Sequence, residues 1–315
     1  MNVFLDALSK KLAEQWLSVL VLPGALWVAT AFLAARAGHR RAFDLRMMSD
    51  ELDRWTENAP STGVIVFVLL GLLLASAAAG LAATGLGAVA QRLWMARGHR
   101  PPGRWLVTWR QKRWRAAEER VVALMSEALR THPPRGARTP EGDASAERVV
   151  SYGPALAEEL ARRDAIGLEF PGRPTWIGDR WRANSTRIHR AYGLDIAVVW
   201  PRLWSVLPET LRADIAAAQA SCTAAATCVG WGALYAALGV LWWPGLLLGG
   251  TVLIAGVLRS RTSTTTLCLL VESAADLHGP TLAEQLRMSC PGPVTSALGE
   301  DMSALFRKDR GPLAG

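Results

Sequence analysis

Residues 61–90 contain no charged side chain, and this stretch limits the possible folds more than any other part of the chain. It is rich in Leu, Val and Ala. As a helix rising ~1.5 Å per residue it could cross a hydrocarbon layer of ~30 Å. Half of the 315 residues are apolar while 20% are charged, so the apolar residues are concentrated in blocks. That distribution is typical of a membrane protein.

Two further uncharged stretches predict more spans. Residues 16–35 exceed the ~7–15 apolar residues of a secretory signal peptide, which favours an uncleaved first span over 16–36. Residues 215–258 contain Pro244 and Gly245 where a double crossing would need a turn, with Trp242 and Trp243 at the membrane interface. The sequence therefore predicts a mainly α, polytopic protein with about four transmembrane helices: 16–36, 61–91, 215–241 and 244–258.

The distribution of Lys and Arg predicts the orientation. Many arginines follow the second span between residues 92 and 120, and Arg259 and Arg261 follow the fourth. Because basic residues near span ends stay in the cytoplasm, both termini should be cytoplasmic in a multi-pass protein of the cell membrane. The loop at 37–60 should then be extracytoplasmic, although it too carries arginines.

The remaining segments complete the predicted organisation, in which a helix-rich cytoplasmic insertion separates the second and third spans. A cytoplasmic N-terminal helix precedes the first span, and an amphipathic cytoplasmic helix and a flexible tail follow the fourth. A linker rich in Pro, Gly and small polar residues divides the insertion. The predicted segments are a terminal helix at 1–15, a juxtamembrane helix at 92–130, a linker at 131–147, a cytoplasmic module at 148–214, an amphipathic helix at 259–289 and a tail at 290–315.

The juxtamembrane helix combines tryptophans with arginines. Trp105, Trp109 and Arg113 recur at helical spacing next to a predicted span. Indole rings favour the membrane interface and guanidinium groups bind anionic headgroups, so we expect this helix to lie on the lipid surface. A basic, aromatic segment could also bind nucleic acid, but no recognised nucleic-acid motif accompanies it.

Within the cytoplasmic module, Gly153 and Pro154 indicate the start of a helix that ends near Gly167, and an irregular stretch follows from 170 to 195. The run IAVVW at 196–200 fits either a strand or a turn of buried helix, because periodicity cannot separate the two. Trp200 and Trp204 should dock this module on the membrane interface or on the juxtamembrane helix. Arg202 should face a phosphate or an acidic neighbour.

Small and polar residues form stripes within the predicted spans. Ser76, Gly80, Thr84 and Ala88 recur every four residues, which predicts close helix packing within one chain or between copies. Gly245 and Gly249 begin a similar stripe. Gln219, Thr223 and Thr227 line one face of the third span and could face a pore in a homo-oligomer, although such hydroxyls often bond to helix backbone instead.

The chain carries no recognisable catalytic, cofactor-binding or metal-binding motif. Its five histidines are scattered, and its four cysteines lack the spacing of a zinc site. Asp179 and Asp195 could serve an enzyme acting on anionic lipid, but solvated ion-pair partners are the ordinary role of such residues. The pattern favours a non-enzymatic role and predicts no cofactor.

One part of the chain resembles a known group. The stretch RPTWIGDRWRANSTRIHRAYGLDIAVVWPRLWSVLPETLRADIAAA covers residues 173–218. With the hairpin that follows, it resembles a group of actinobacterial multi-span integral membrane proteins. The shared pattern is Pro-Thr followed by Gly and Arg, then Tyr-Gly, then Trp-Pro-Arg-Leu. The resemblance implies a bacterial integral membrane protein and no catalytic residue.

Three functions agree with these features. The first is a membrane anchor, scaffold or signalling component that binds anionic lipid and a cytoplasmic protein partner. The second is a homo-oligomeric channel or membrane-perturbing effector built around the third span. The third is a membrane-bound enzyme acting on anionic lipid.

Overall fold

The computed structural model of the chain describes residues 22–39, 61–131 and 142–308. These residues form nine α-helices and no β-strand, so the predicted mainly α fold holds for them. The helices are α1 (Leu22–Ala37), α2 (Thr62–Trp94), α3 (Gly103–Thr131), α4 (Gly142–Ile166), α5 (Trp176–Tyr192), α6 (Ile196–Val206), α7 (Glu209–Leu238), α8 (Pro244–Gln285) and α9 (Ser296–Arg307).

Some predicted segments lie outside the described residues. They are the N-terminal helix at 1–15, the beginning of the first span at 16–21, the loop at 40–60, most of the linker at 132–141 and the end of the tail at 309–315.

Two helices of the described chain, α2 and α7, are long and apolar enough to cross a membrane. Helix α1 is apolar but shorter within the described range. Helix α2 begins at Thr62 and α7 at Glu209, close to the predicted starts of the second and third spans.

The chain divides into two compact units. Unit 1 comprises residues 1–92 and 220–260, and unit 2 comprises residues 93–219 and 261–315. Helices α2, α7 and α8 each contribute residues to both units. The boundaries between the units, at Arg92, Gln219 and Ser260, lie within a few residues of the ends of the uncharged stretches.

Unit 1 is held together by close helix contacts at glycine. A Cβ at Gly230 of α7 would overlap the carbonyl of Ala83 on α2, and a Cβ at Gly87 of α2 would come within 2.8 Å of the Ala226 carbonyl oxygen. The order of these pairs makes α2 and α7 antiparallel. The first part of α8 packs antiparallel to α7 in the same way, since a Cβ at Gly256 would come within 2.9 Å of the Val229 nitrogen.

Unit 2 is built on two helical associations. Helix α3 packs along α4, and an ion pair of 3.0 Å joins Glu118 to Arg163 across them. Helix α9 packs on α5 and α6, where Gly299 lies against the carbonyl of Tyr192. The buried side chains of this second group include Ile188, Leu194, Leu203 and Met302.

The stretch predicted to be irregular, 170–195, contains helix α5, and the prediction was wrong for most of it. Thr175 caps the helix, with its hydroxyl accepting from the Gly178 nitrogen at 3.1 Å. Gly193 ends it in the left-handed conformation at φ 67°. The many arginines obscured the apolar periodicity, but the cap residues were present in the sequence as helix boundaries.

Three other boundaries also differ from the prediction. Residues 142–147, predicted as linker, begin α4, because Ala and Glu in this segment favour a helix. Pro154, expected at a helix start, lies inside α4. The segment 244–258 and most of the segment 259–289 form one continuous helix, α8, which ends at Gln285, since the sequence at 259–262 contains no helix breaker.

The run IAVVW, left open as strand or helix, is helical. It forms the first half of α6, where the Asp195 side chain accepts from the Ala197 nitrogen as a cap. Pro201 lies inside this helix. The tail at 290–315, predicted to be flexible, contains helix α9, whose Met302 is buried, so the prediction was wrong for this part.

Candidate membrane-interface site

The exposed face of α3 carries the tryptophans that the sequence assigned to the membrane interface. Trp105 is 83% exposed and Trp109, one turn later, is 54% exposed. The guanidinium of Arg113 lies over the Trp109 ring at 4.8 Å from its centroid. This stacking leaves a cation and an indole side by side on one exposed surface, which is the pairing that anionic headgroups favour.

The opposite face of α3 is fixed by a buried arginine. Arg110 forms an ion pair of 2.5 Å with Asp179 on α5 and donates to the carbonyls of Ile166 and Arg173. Trp114, one turn later, donates from Nε1 to the carbonyl of Gly167 at 2.8 Å. These bonds attach α3 to the 166–173 segment and prevent it from turning about its axis. The exposed tryptophans therefore keep their orientation.

Asp179 is fully engaged in this arrangement. It is 3% exposed, and besides Arg110 it accepts from the backbone nitrogens of Gly172 and Arg173 at 2.9 and 2.8 Å. Burial lowers the pKa of Arg110, while the charge of Asp179 and their hydrogen bond act in the opposite direction. The expectation that Asp179 is a solvated ion-pair partner was wrong in one respect, since the pair is buried.

The loop before α5 also binds the end of α2. Thr175 donates through its hydroxyl to the carbonyl of Trp94 at 2.6 Å, and Arg173 donates to the carbonyl of Met95 at 2.7 Å. These bonds satisfy backbone acceptors that the C-terminus of a helix leaves without an intrahelical partner. One short segment therefore positions both the end of α2 and the start of α5.

Trp200, Arg202 and Trp204 lie on α6. The two indoles are partly buried against each other, with centroids 5.8 Å apart. Arg202 is exposed, donates to the carbonyl of Val198 and lies 5.0 Å from the ring centroid of Phe306 on α9. Among the described residues Arg202 thus contacts an aromatic ring and no carboxylate, and the predicted contact with a phosphate stays a prediction.

Asp195, the other candidate acid, has a structural role. Its carboxylate caps α6 and forms an ion pair with Arg307 on α9 at 2.5 Å. It therefore fastens α9 to α6.

Trp242 and Trp243 lie at the turn between α7 and α8. The backbone nitrogen of Trp242 donates to the carbonyl of Leu238 at 2.9 Å, and the backbone nitrogen of Gly245 donates to the carbonyl of Trp242. Trp243 is exposed and Trp242 is half-buried. Pro244 and Gly245 follow at the start of α8, so this turn joins two antiparallel helices.

Only part of the predicted packing stripe on α2 is buried in helix contacts. Ser76 and Gly80 are buried, but Thr84 is half-buried and Ala88 is exposed, while Ala83 and Gly87 are buried in their place. A strict four-residue repeat drifts around a helix of 3.6 residues per turn, whereas alternating steps of four and three stay on one face. On α8, Gly245 lies close to Gly239 and Gly249 close to the Ala236 backbone.

The predicted pore stripe lies on α7. Gln219 and Thr223 are exposed, and the Thr227 hydroxyl donates to the carbonyl of Thr223 at 3.1 Å. That bond is the ordinary use of a hydroxyl within a helix.

Sequence reasoning missed the buried polar residues of α3 and α5. Arg110 was counted among the basic residues of the juxtamembrane segment, yet it is buried. Helical spacing held a signal: Arg110, Ala117 and Val121 share one face, which is separate from the face of Trp105 and Trp109. In the described part of the chain, no group of three or more His, Cys, Asp or Glu side chains could hold a metal ion.

A comparison with protein-family models, curated proteins and solved structures finds no match to this chain.

Proposed function

We propose that this chain is a non-enzymatic, multi-pass membrane protein whose unit 2 lies on the anionic cytoplasmic leaflet and serves as an anchor or scaffold for a protein partner. The proposal includes four spans, formed by the described part of α1 with the residues before it, by α2, by α7 and by the first part of α8. It also includes both termini in the cytoplasm, and membership of the multi-span group that residues 173–218 resemble.

The exposed apolar surface of α2 carries this proposal. Every large apolar side chain from Val64 to Leu74 is at least 39% exposed, and Phe67 reaches 77%. The core helix of a soluble protein would bury such residues, and a signal sequence would lie at the N-terminus. An apolar surface of this extent requires a cover, and hydrocarbon covers all sides of a helix at once.

The other helices of unit 1 support the same environment. Leu22 and Leu26 on α1 and Leu247 and Ile254 on α8 are more than half exposed. The contacts between these helices run through glycine and other small residues, as at Gly87 and Gly230. Membrane helices associate through such close backbone contacts, because lipid supplies no hydrophobic force between them.

The exposed face of α3 supports contact with headgroups. Trp105, Trp109 and Arg113 share it, and Lys112 is also exposed there. Basic residues near an anionic leaflet each contribute about 1 kcal/mol of attraction. An enzymatic role receives less support, because Asp179 and Asp195 are both committed to ion pairs and helix contacts.

Membrane integration is tested by extracting native membranes at alkaline pH and floating reconstituted vesicles on a density gradient. The chain should stay in the membrane pellet and float with the vesicles. A soluble chain after alkaline extraction would contradict the proposal.

The scaffold role is tested separately by photo-crosslinking in cells from exposed positions of α4, such as Glu158. A discrete protein adduct is expected from this position, and the same crosslinker at Phe67 of α2 should yield lipid adducts. Lipid adducts from both positions would contradict the scaffold role and leave membrane integration standing.

A channel is the second candidate, because Gln219 and Thr223 place an exposed polar stripe on a helix long enough to span. It predicts ion flux through vesicles that contain the purified protein, and reduced flux when Thr223 and Thr227 are replaced by Leu. A monomeric and impermeable preparation would exclude it.

A further inference from the structure

Arg180 on α5 is a buried arginine whose charge is not balanced within the described part of the chain. It is 8% exposed, and its Nε atom is enclosed without a hydrogen-bond partner. No described carboxylate forms an ion pair with it. An unpaired buried guanidinium costs several kcal/mol, so proteins normally pair such groups.

The buried Arg110 follows that rule, and two exposed arginines of unit 2 are paired as well. Arg110 pairs with Asp179 and Arg187 pairs with Glu272 on α8 at 3.0 Å, and the more exposed Arg190 pairs with Glu169. Asp179 precedes Arg180 in sequence but is already engaged by Arg110 and by two backbone nitrogens. Arg180 is therefore the buried cation of α5 for which the fold supplies no anion among the described residues.

Contacts on either side place Arg180 next to α8. The Arg261 guanidinium lies over the Trp176 ring at 5.3 Å, and Arg187 meets Glu272 further along both helices. The two contacts have the same sequence separation, so α5 and this part of α8 run parallel. Arg180 is four residues after Trp176 and seven before Arg187, which puts all three on one helix face.

We use the name Arg180 groove for the region between these two contacts, which contains the buried polar side chains Arg180 and Asn184 of α5 and Thr264 of α8. Asn184, one turn after Arg180, is 1% exposed and its Oδ1 has no partner. A 180° rotation of the side-chain amide would place the NH₂ group at this position, where it could donate to an anion. On α8, the buried Thr264 lies one turn after Arg261.

A phosphate group fits this set better than a carboxylate. A guanidinium binds two oxygens of an oxyanion in a planar fork, and phosphate has further oxygens for an amide and a hydroxyl. The nearest described acids on the facing helix, Glu272 and Asp276, already bind Arg187 and Tyr192. We propose that the Arg180 groove binds a phosphate group, either free in solution or in a lipid headgroup.

This site lies within unit 2 and does not depend on the proposed membrane function. The first test measures thermal unfolding of the full chain in detergent, in sodium phosphate and in sodium chloride of equal ionic strength. At phosphate concentrations about one hundred times the Kd, the unfolding midpoint should rise by roughly 4 °C. No rise with phosphate and no retained phospholipid would overturn the proposal.

The variants assign the effect to Arg180. Arg180→Met should abolish the rise, whereas Arg190→Met, the same change at an exposed position of the same helix, should keep it. Without phosphate, Arg180→Met should unfold at a higher temperature than the unaltered chain, because it removes an unpaired buried charge. If Arg180→Met does not fold, Arg180→Lys should bind phosphate at least tenfold more weakly, since an ammonium lacks the planar fork. Equal phosphate affinity in the tested Arg180 variant and the unaltered chain would overturn the proposal.

A second arm distinguishes the sources of phosphate. Native mass spectrometry of the protein from nanodiscs containing phosphatidic acid should show one retained lipid if the ligand is a headgroup, and this lipid should be lost in Arg180→Met. Stabilisation by inorganic phosphate with no retained lipid would identify a free phosphate as the ligand.

Discussion

At the scale of single residues, unit 2 depends on a few buried or shielded polar groups. Arg110 and Asp179 join α3 to α5, and Asp195 joins α6 to α9 through Arg307. A buried ion pair such as Arg110–Asp179 adds little net stability. Removing one partner nevertheless costs much stability, because the other partner then keeps an unpaired buried charge. Removing the carboxylate of Asp179 should therefore cost more stability than removing the carboxylate of Glu158, although each of them pairs with an arginine.

Replacing Asp179 by Asn should destabilise unit 2 by about 3–5 kcal/mol, because Arg110 then keeps an unpaired buried charge. The matched control is Glu158→Gln, which removes an exposed pair with Arg162 and should cost only about 0–1 kcal/mol. Chemical unfolding followed by tryptophan fluorescence measures both. Equal effects would show that the Arg110–Asp179 pair is not buried in solution.

Tyr192 should make stability depend on alkaline pH. Its hydrogen bond to Asp276, together with burial, raises the pKa of the Tyr192 phenol above its ordinary value. The folded state therefore keeps the phenol proton at pH values where the unfolded state has lost it. The resulting stabilisation is complete below about pH 10 and is lost as the pH rises through the folded pKa.

This prediction is measured as the difference in free energy of unfolding between the unaltered chain and Tyr192→Phe from pH 8 to 11. The difference should shrink as the pH passes 10. A difference that stays constant with pH would show that the phenol does not bind Asp276.

At the scale of elements, the helices of unit 1 meet where side chains are smallest. Gly230 on α7 faces the Ala83 carbonyl on α2, while Gly85 on α2 has no neighbouring atom within 4 Å of an added Cβ. The same substitution can therefore be compared at a packed glycine and at an open one. Only the first is required by the approach of two backbones.

Gly230→Ala should lower stability in detergent by about 1–3 kcal/mol, because the added methyl forces α2 and α7 apart. Gly85→Ala should be neutral or stabilising by up to about 1 kcal/mol, since alanine favours the helix. Thermal unfolding of both variants tests the prediction. A loss at Gly85 as large as at Gly230 would contradict the assigned contact.

Helix α3 should place its tryptophans in the headgroup layer. Lipids brominated near the glycerol should quench part of the protein's tryptophan fluorescence in vesicles. Replacing Trp105 and Trp109 together by Phe should reduce that quenched part. Replacing Trp114, whose Nε1 donates to Gly167, should leave it unchanged. Similar losses in both variants would argue against an interfacial α3.

At the scale of the whole molecule, unit 1 carries most of the exposed large apolar side chains and unit 2 carries most of the paired arginines. The three helices that contribute to both units change character at Arg92, Gln219 and Ser260. In the proposed topology these residues lie near the cytoplasmic boundary of the membrane. The turn at Trp242 and Trp243 then lies at the opposite boundary.

Cysteine accessibility tests this topology in a variant without its native cysteines. A membrane-impermeant maleimide applied to intact cells should label a cysteine at Leu241, in the turn, and should not label one at Glu158 on α4. Permeabilised cells provide the control, in which both positions should react. If only the cysteine at position 158 were labelled in intact cells, the orientation would be the reverse of the proposed one.

The sequence by itself determined the mainly α fold and the apolar blocks, because helix-length uncharged stretches and Lys and Arg positions are local properties. It also held the caps Thr175 and Gly193, which define α5 although that helix was not predicted. Only the tertiary structure decided which arginines are buried and which acids they bind. Arg110 and Asp179 lie far apart in sequence, and nothing in either neighbourhood specifies the other. The same holds for Arg180, whose burial without a described counter-charge arises from the parallel packing of α5 and α8.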